Sequence, residues 1–180
     1  MVEVVVEHFG PIDILMNNAG ASWGAPAEDT PGEAWRKVMN LNVDALFFLT
    51  REIGRRCMIP RQSGEIINIA SIAGLRGSAT TTTTIVYNTS KGAVVNFTRA
   101  SASGWGKYDI NVNAIRPGFF PSKMSVRLLE TLRDSVIARA PLHYIGGDED
   151  LKGAVIFLAS EATRHITGQN LAVDGGMSIV

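Results

Sequence analysis

The sequence predicts one α/β domain built on a parallel sheet, and three observations carry that prediction. Short β-type runs recur at 12–16 (IDILM), 65–70 (EIINIA), 110–115 (INVNAI) and 170–174 (NLAVD), with longer helix-like segments between them. The strands are apolar along their whole length, the pattern of a sheet covered on both faces by crossover helices. At 180 residues the chain is long enough for one domain with a real core, and neither a repeat nor an interdomain linker divides it.

The elements follow in order. The opening MVEVVVEHFG is apolar but lacks a basic n-region and a long h-region, so it is not a signal peptide. The first strand runs into NNAG at 17–20. Thr30-Pro31 then makes a cap and first-turn pair for a long helix over 33–56. The second strand leads into Ser71, and the threonine run at 80–84 reads as a loop. A second long helix covers Tyr87 to Trp105. The third strand leads into RPGFFPSKM (116–124), and SVRLLETLRDSVIARA forms an amphipathic helix beyond it. The last helix is predicted over 148–160, with acids in its first turn as the helix dipole favours. Ligand sites in such sheets lie beyond the carboxyl ends of the strands, where NNAG, Ser71 and RPGFFPSKM converge.

Composition removes several classes of function. Net charge is zero, the apolar fraction is 46%, and no block of like charges suggests a nucleic-acid footprint or a polybasic membrane patch. Cys57 is the only cysteine, which excludes an intrachain disulfide and favours a reducing, cytoplasmic setting. Apolar runs such as ALFFL are too short to span a bilayer, so a soluble protein is expected. His8, His143 and His165 have no metal-ligand spacing, and no metal is expected.

Tyr87 and Lys91 stand at i and i+4, which places them on one helix face. A free phenol, with a pKa of about 10, is a poor acid–base catalyst near neutral pH, and a neighbouring ammonium pulls that value down. The bland alternative is a surface tyrosine beside a solvated lysine. Ser71 ends a strand where its hydroxyl can bond a carbonyl, or where it simply makes a turn. Asn42 is a polar residue in a helix that looks apolar on both sides. If buried, its amide must be satisfied by its own helix backbone or by a water in a proton relay. Asn40 competes for that role. NNAG gives a turn whose terminal glycine lets a flat ligand approach, while Asn17 and Asn18 can equally tie neighbouring strands.

Taken in order, Asn42, Ser71, Tyr87 and Lys91, with NNAG upstream and PG downstream, resemble the short-chain dehydrogenase/reductase family. The likeness runs from EHFGPIDILMNNAG to ITGQNLAVDGG. Phrases such as YNTSKGAVVNFTRA and INVNAIRPGFFPSKM are most similar to the 3-oxoacyl-(acyl carrier protein) reductase group and related ketone and alcohol dehydrogenases.

The resemblance implies an NAD(P)-dependent oxidoreductase on a Rossmann-like doubly wound parallel sheet. Hydride transfer would link the nicotinamide with a ketone, 3-oxoacyl or secondary alcohol substrate. It implies that Tyr87 exchanges a proton with the substrate oxygen, that Lys91 lowers the tyrosine pKa and bonds the nicotinamide ribose, and that Ser71 orients the carbonyl. Asn42 would anchor a water linking Lys91 to solvent. Asn17, Ala19 and Gly20 would line NAD or NADP, and Pro117, Gly118 and Ser122 would approach its carboxamide. Residues 119–140 would form a lid over substrate. The helices at 33–56 and 87–105 would pair between subunits of a homotetramer or homodimer.

Two departures set further expectations. Ser71 and Tyr87 are 16 positions apart (87 − 71), a few more than usual, with GSATTTTT in the gap. The family's strand, TGxxxGxG turn and helix are not found, and the glycines at 74–77 follow the second strand. By that likeness residues 1–180 form a single, incomplete domain, the C-terminal portion of the fold with about four strands, lacking roughly the first 80 residues. The residue that selects NAD or NADP is then absent, the strand at 12–16 becomes an apolar edge, and weak or no turnover is expected. A non-catalytic oligomerisation or binding module is the alternative. A sugar-nucleotide epimerase or dehydratase shares the Tyr-Lys spacing, but NNAG and the short C-terminal portion argue against it.

Overall fold

Residues 1–77 and 83–180 are described by a computed structural model, with Arg127 described by its backbone alone. Thr80–Thr82 of the threonine run lie outside the described residues. The helix α1 (Val2–Phe9) precedes β1 (Ile14–Asn17), and a long helical run follows: α2 (Gly32–Met39), a π-turn (Asn40–Asp44), α3 (Ala45–Ile53), a second π-turn (Gly54–Met58) and a 3-10 turn (Ile59–Arg61). Then come β2 (Gly64–Ile69), a 3-10 turn (Ile72–Gly74), α4 (Ile85–Trp105), β3 (Ile110–Pro117), α5 (Val126–Arg139), α6 (Lys152–Leu158) and β4 (Asn170–Val173).

The four strands make one parallel sheet in the order β1-β2-β3-β4, with Leu15 opposite Ile66, Ile66 opposite Val112, and Ala114 opposite Asn170. Helices cover both faces. Leu15, Ile66 and Val112 pack with Ile53, Met58 and Ala102, while Leu46, Val94 and Val95 close on Ala70 and Ala114. On the opposite face Ile67 and Ile115 meet Leu158 of α6. The apolar strand pattern has this cause: alternate residues enter two different cores. At β1 only one face is covered, so Leu15 is buried while Ile14 and Met16 stay 48% and 41% exposed. Among the described residues β1 pairs with β2 alone and is an apolar edge, as expected.

Three expectations need correction. Thr30 does not cap the long helix: Pro31 holds that position without a side-chain bond, and Thr30 Oγ1 donates to the Pro26 carbonyl at 2.9 Å. The segment over 33–56 is not one α-helix, because two π-turns interrupt it. The acids at 148–150 precede α6 instead of opening it, and Asp150 accepts from the Gly147 N–H at 2.7 Å. Among the described residues no helix is long and apolar enough to cross a membrane.

Candidate active site

The helix α4 presents a buried stripe at every fourth residue: Val86, Ser90, Val94, Thr98 and Ala102. Lys91 is drawn inward beside it and is 5% exposed. Its Nζ donates to the Ile69 carbonyl at 2.6 Å and lies 5.7 Å from the centre of the Tyr87 ring. Burial lowers its pKa from 10.5 to about 8. No carboxylate pairs with Lys91 among the described residues.

Ser71 follows β2 and opens the 3-10 turn, its Oγ accepting from the Ala73 N–H at 3.1 Å. Its hydroxyl lies close enough to Tyr87 to favour the phenolate. The helix and the end of β2 therefore bring Tyr87, Ser71 and Lys91 together. The tyrosine pKa differs from expectation: burial raises it, and the nearby Ser71 hydroxyl opposes the rise. Lys91 is not what lowers it here. Desolvation disfavours the phenolate and the ammonium alike, so each group drifts toward its neutral form.

Gly74 explains how Ser71 reaches α4. A Cβ at Gly74 would lie 2.6 Å from the carbonyl carbon and oxygen of Lys91, so only a glycine lets the turn press on the helix backbone.

Asn42 sits in the first π-turn and is 1% exposed. Its Oδ1 accepts from the Ala21 N–H at 2.8 Å, and its Nδ2 donates to the Ala21 carbonyl and to Ser90 Oγ, both at 2.9 Å. Ser90 Oγ in turn donates to the Tyr87 carbonyl at 2.8 Å. The amide is thus satisfied across the fold and not by its own helix; it ties the loop after NNAG to the helix that carries Tyr87. Asn40 stays with its own helix, its amide within 3.1 Å of Asp44 Oδ2 and 3.2 Å of the Arg36 carbonyl when oriented to donate.

Asn17 adopts the strand-tying alternative. Its Nδ2 donates to Thr50 Oγ1 at 2.9 Å and to Asn68 Oδ1 at 2.8 Å, and Asn68 continues to Thr98 Oγ1 at 3.0 Å. Gly20 lies at the cluster: a Cβ there would be 3.5 Å from Asn42 Oδ1 and 3.7 Å from Lys91 Nζ. Ala19 precedes it in the same loop. Pro117 ends β3, and Gly118 donates to the Val173 carbonyl at 2.9 Å, with Asp174 pressed where a Cβ would stand. Ser122 lies in the turn before α5, its Oγ 2.9 Å from Ser125 Oγ. Sequence reasoning did not single out Ser90, Thr98 or Gly74. The two hydroxyls carried a signal, being polar residues on an otherwise apolar i+4 stripe.

A dinucleotide fits one end of this arrangement. Lys91 has N–H donors beyond the one held by Ile69 and faces Gly20, a setting suited to ribose hydroxyls. Among the described residues no strand passes through a glycine-rich turn into a helix, so no cradle for a pyrophosphate is present. A small cleft lined by Phe119, Phe120, Tyr144, Ile145 and Met177 lies beside the cluster and includes none of its residues.

A family profile described as "Enoyl-(Acyl carrier protein) reductase" matches residues 1–178. The gluconate 5-dehydrogenase of Gluconobacter oxydans is 38% identical over 180 residues, which cover 99% of this chain and 69% of that protein. The 3-oxoacyl-(acyl carrier protein) reductase of Thermotoga maritima is 35% identical over 179 residues, 99% of this chain and 71% of that one. Among solved structures, a gluconate 5-dehydrogenase from Burkholderia cenocepacia in complex with NADP and tartrate superimposes with a TM-score of 0.95. It is 34% identical, and the match covers 99% of this chain and 69% of that one.

Proposed function

The chain belongs to the short-chain dehydrogenase/reductase family, and on that premise we propose that its site interconverts a ketone or 3-oxoacyl group and the matching secondary alcohol. The observation that carries this reading is the meeting of Tyr87, Ser71 and Lys91 at the carboxyl end of β2. NAD or NADP, when bound, supplies or accepts the hydride.

The chain's own residues handle position and the proton. Ser71 holds the substrate oxygen against the Tyr87 hydroxyl. Tyr87 gives its proton to that oxygen as negative charge develops there, and takes it back in the reverse direction. Lys91, still largely protonated near neutral pH with a pKa of about 8, offsets the charge left on the phenolate. Its spare donors, beside Gly20, suit the ribose of the cofactor. Asn42 fixes the loop after Gly20 relative to Tyr87 through Ser90, so the relay water expected of it would rest on its main chain. Ala19 and the backbone of Asn17 would line the cofactor, and Pro117, Gly118 and Ser122 its carboxamide end. Residues 119–140 would close over substrate, with Leu129 and Val136 of α5 already packed on Ile72.

Phe47 and Phe48 on α3 are 43% and 51% exposed, and Phe47 stacks edge-on with both Phe48 and Phe97 of α4. That apolar face supports pairing of two copies through these helices in a dimer or tetramer. A cytoplasmic setting accords with the buried free thiol of Cys57.

Lacking a pyrophosphate cradle among the described residues, the 180-residue polypeptide is expected to bind dinucleotide weakly and turn over slowly. NADPH titration with a thermal-melt readout tests this. The wild type and Tyr87→Phe should both be stabilised at high NADPH, and only the wild type should oxidise it with a ketone present. No stabilisation at any concentration, with dimers still formed, would favour a non-catalytic module, the reading that the uncovered β1 edge supports.

A further inference from the structure

The relatives named for gluconate and for 3-oxoacyl-(acyl carrier protein) differ in that gluconate is a free carboxylate and a carrier-bound acyl group is not. Arg76 bears on that difference. It lies two residues past the 3-10 turn that Gly74 presses against Lys91. Its carbonyl accepts from Asn88 Nδ2 at 2.9 Å, and Asn88 follows Tyr87 on the first turn of α4. Its Nη1 donates to the Met177 carbonyl at 2.8 Å. Met177 is buried with Ile72, Leu129 and Val136. The Arg76 main chain is therefore tied to the helix turn that carries Tyr87, and its side chain reaches the C-terminal loop packed under α5.

Among the described residues no carboxylate answers the charge of Arg76. A guanidinium offers five N–H donors in a fixed fork, and Met177 takes one of them. Arg76 makes no ion pair among the described residues. Asp174, in the loop that Arg76 reaches, has its Oδ1 on the Gly176 N–H at 2.9 Å and its Oδ2 on the Ser178 N–H at 2.8 Å. Lys91 points to Ile69 and likewise lacks a carboxylate partner. A half-buried guanidinium with unused, coplanar donors is suited to a carboxylate, which it binds through two parallel bonds. A tether to Met177 alone would need a single donor and no fork.

We propose that Arg76 reads the substrate, taking the carboxylate of a small hydroxy- or oxo-acid whose reacting carbon sits between Tyr87 and Ser71. The proposal rests on the oxidoreductase reading for the reacting carbon, and on Arg76 alone for the acid. Sodium gluconate and the neutral polyol glucitol make the test pair, added to the 180-residue chain at constant ionic strength with thermal melting as the readout. Gluconate should raise the melting temperature and glucitol should not. Arg76→Gln should weaken the gluconate effect about tenfold or more, the loss of a charge-assisted pair. Arg76→Lys, which keeps a charge and a donor for Met177, should retain the preference for gluconate at reduced strength and serves if the glutamine variant does not fold. Equal effects of the two polyols, absence of a gluconate effect, or unchanged gluconate affinity in both Arg76 variants would overturn the assignment. Failure of the dehydrogenase reading is separate: Arg76-dependent gluconate binding would persist, with no NADPH-linked turnover of any substrate.

Discussion

Replacing Glu65 by glutamine should stabilise the protein at pH 8 and not at pH 5. Glu65 lies on β2 opposite Asn111, far from the proposed chemistry. Its Oε1 accepts from Asn111 Nδ2 at 3.1 Å, while Oε2 is buried without a partner. Burial, with added repulsion from Glu161, pushes its pKa up from 4.5 to about 7, against the smaller pull of Asn111. The folded chain therefore holds this proton more tightly than the unfolded chain. Stability is highest below pH 4.5, falls as pH rises from there through 7, and levels off above. For a group wholly removed from water the full loss would be roughly 3 kcal/mol. Glu65 is only half-buried, and solvent screening reduces this to about 1–2 kcal/mol. Glutamine abolishes the titration, though its amide nitrogen needs an acceptor that Oε2 did not, a cost independent of pH. Urea unfolding of both proteins at pH 5 and pH 8 isolates the difference. The stability of Glu65→Gln relative to wild type should improve by about 1–2 kcal/mol between the two pH values. A difference that does not change with pH would refute the reasoning.

Lys91→Met should be more stable than wild type at pH 7 by about 2 kcal/mol, the desolvation relieved less the bond to Ile69. The lysine pKa is depressed, so its neutral form favours folding above pH 10.5 and that contribution is lost as pH falls through about 8. The advantage of methionine should therefore shrink toward pH 10.5 in thermal melts, and NADPH should no longer stabilise this variant. Gly74→Ala should cost about 1–3 kcal/mol in urea unfolding, because its Cβ meets backbone that cannot rotate away. Gly77→Ala, with nothing among the described residues within 4 Å of its added Cβ, should change stability by less than about 0.5 kcal/mol.

The strands were legible to within about two residues because an apolar β-branched run is a local signal that the sheet only confirms. α4 was legible for the same reason, beginning at Ile85 where Tyr87 was expected. The π-turns were not, since one extra residue per turn leaves helical periodicity nearly unchanged over five positions. The acids at 148–150 look like a helix start in sequence, yet Asp150 closes a turn on Gly147 and α6 begins after it. At the site, Tyr87 and Lys91 were found from their spacing, and Asn42 from being polar where its neighbours are apolar. Its bonds to Ala21 and Ser90 join residues 21 and 48 positions away, which no local pattern encodes.

The sequence by itself determined which groups meet on one helix face and which family the chain belongs to, because both depend on residue identity and short spacings. Tertiary structure decided how those groups behave. It buried Tyr87 and Lys91 together, so that desolvation moved both toward neutrality where proximity alone predicted an easier phenolate. It also turned Asn17 and Asn42 inward onto protein partners and left Arg76 without an acid among the described residues. The free energy of an ionisable or amide group is set by the water it loses and the partners it gains, and packing assigns both.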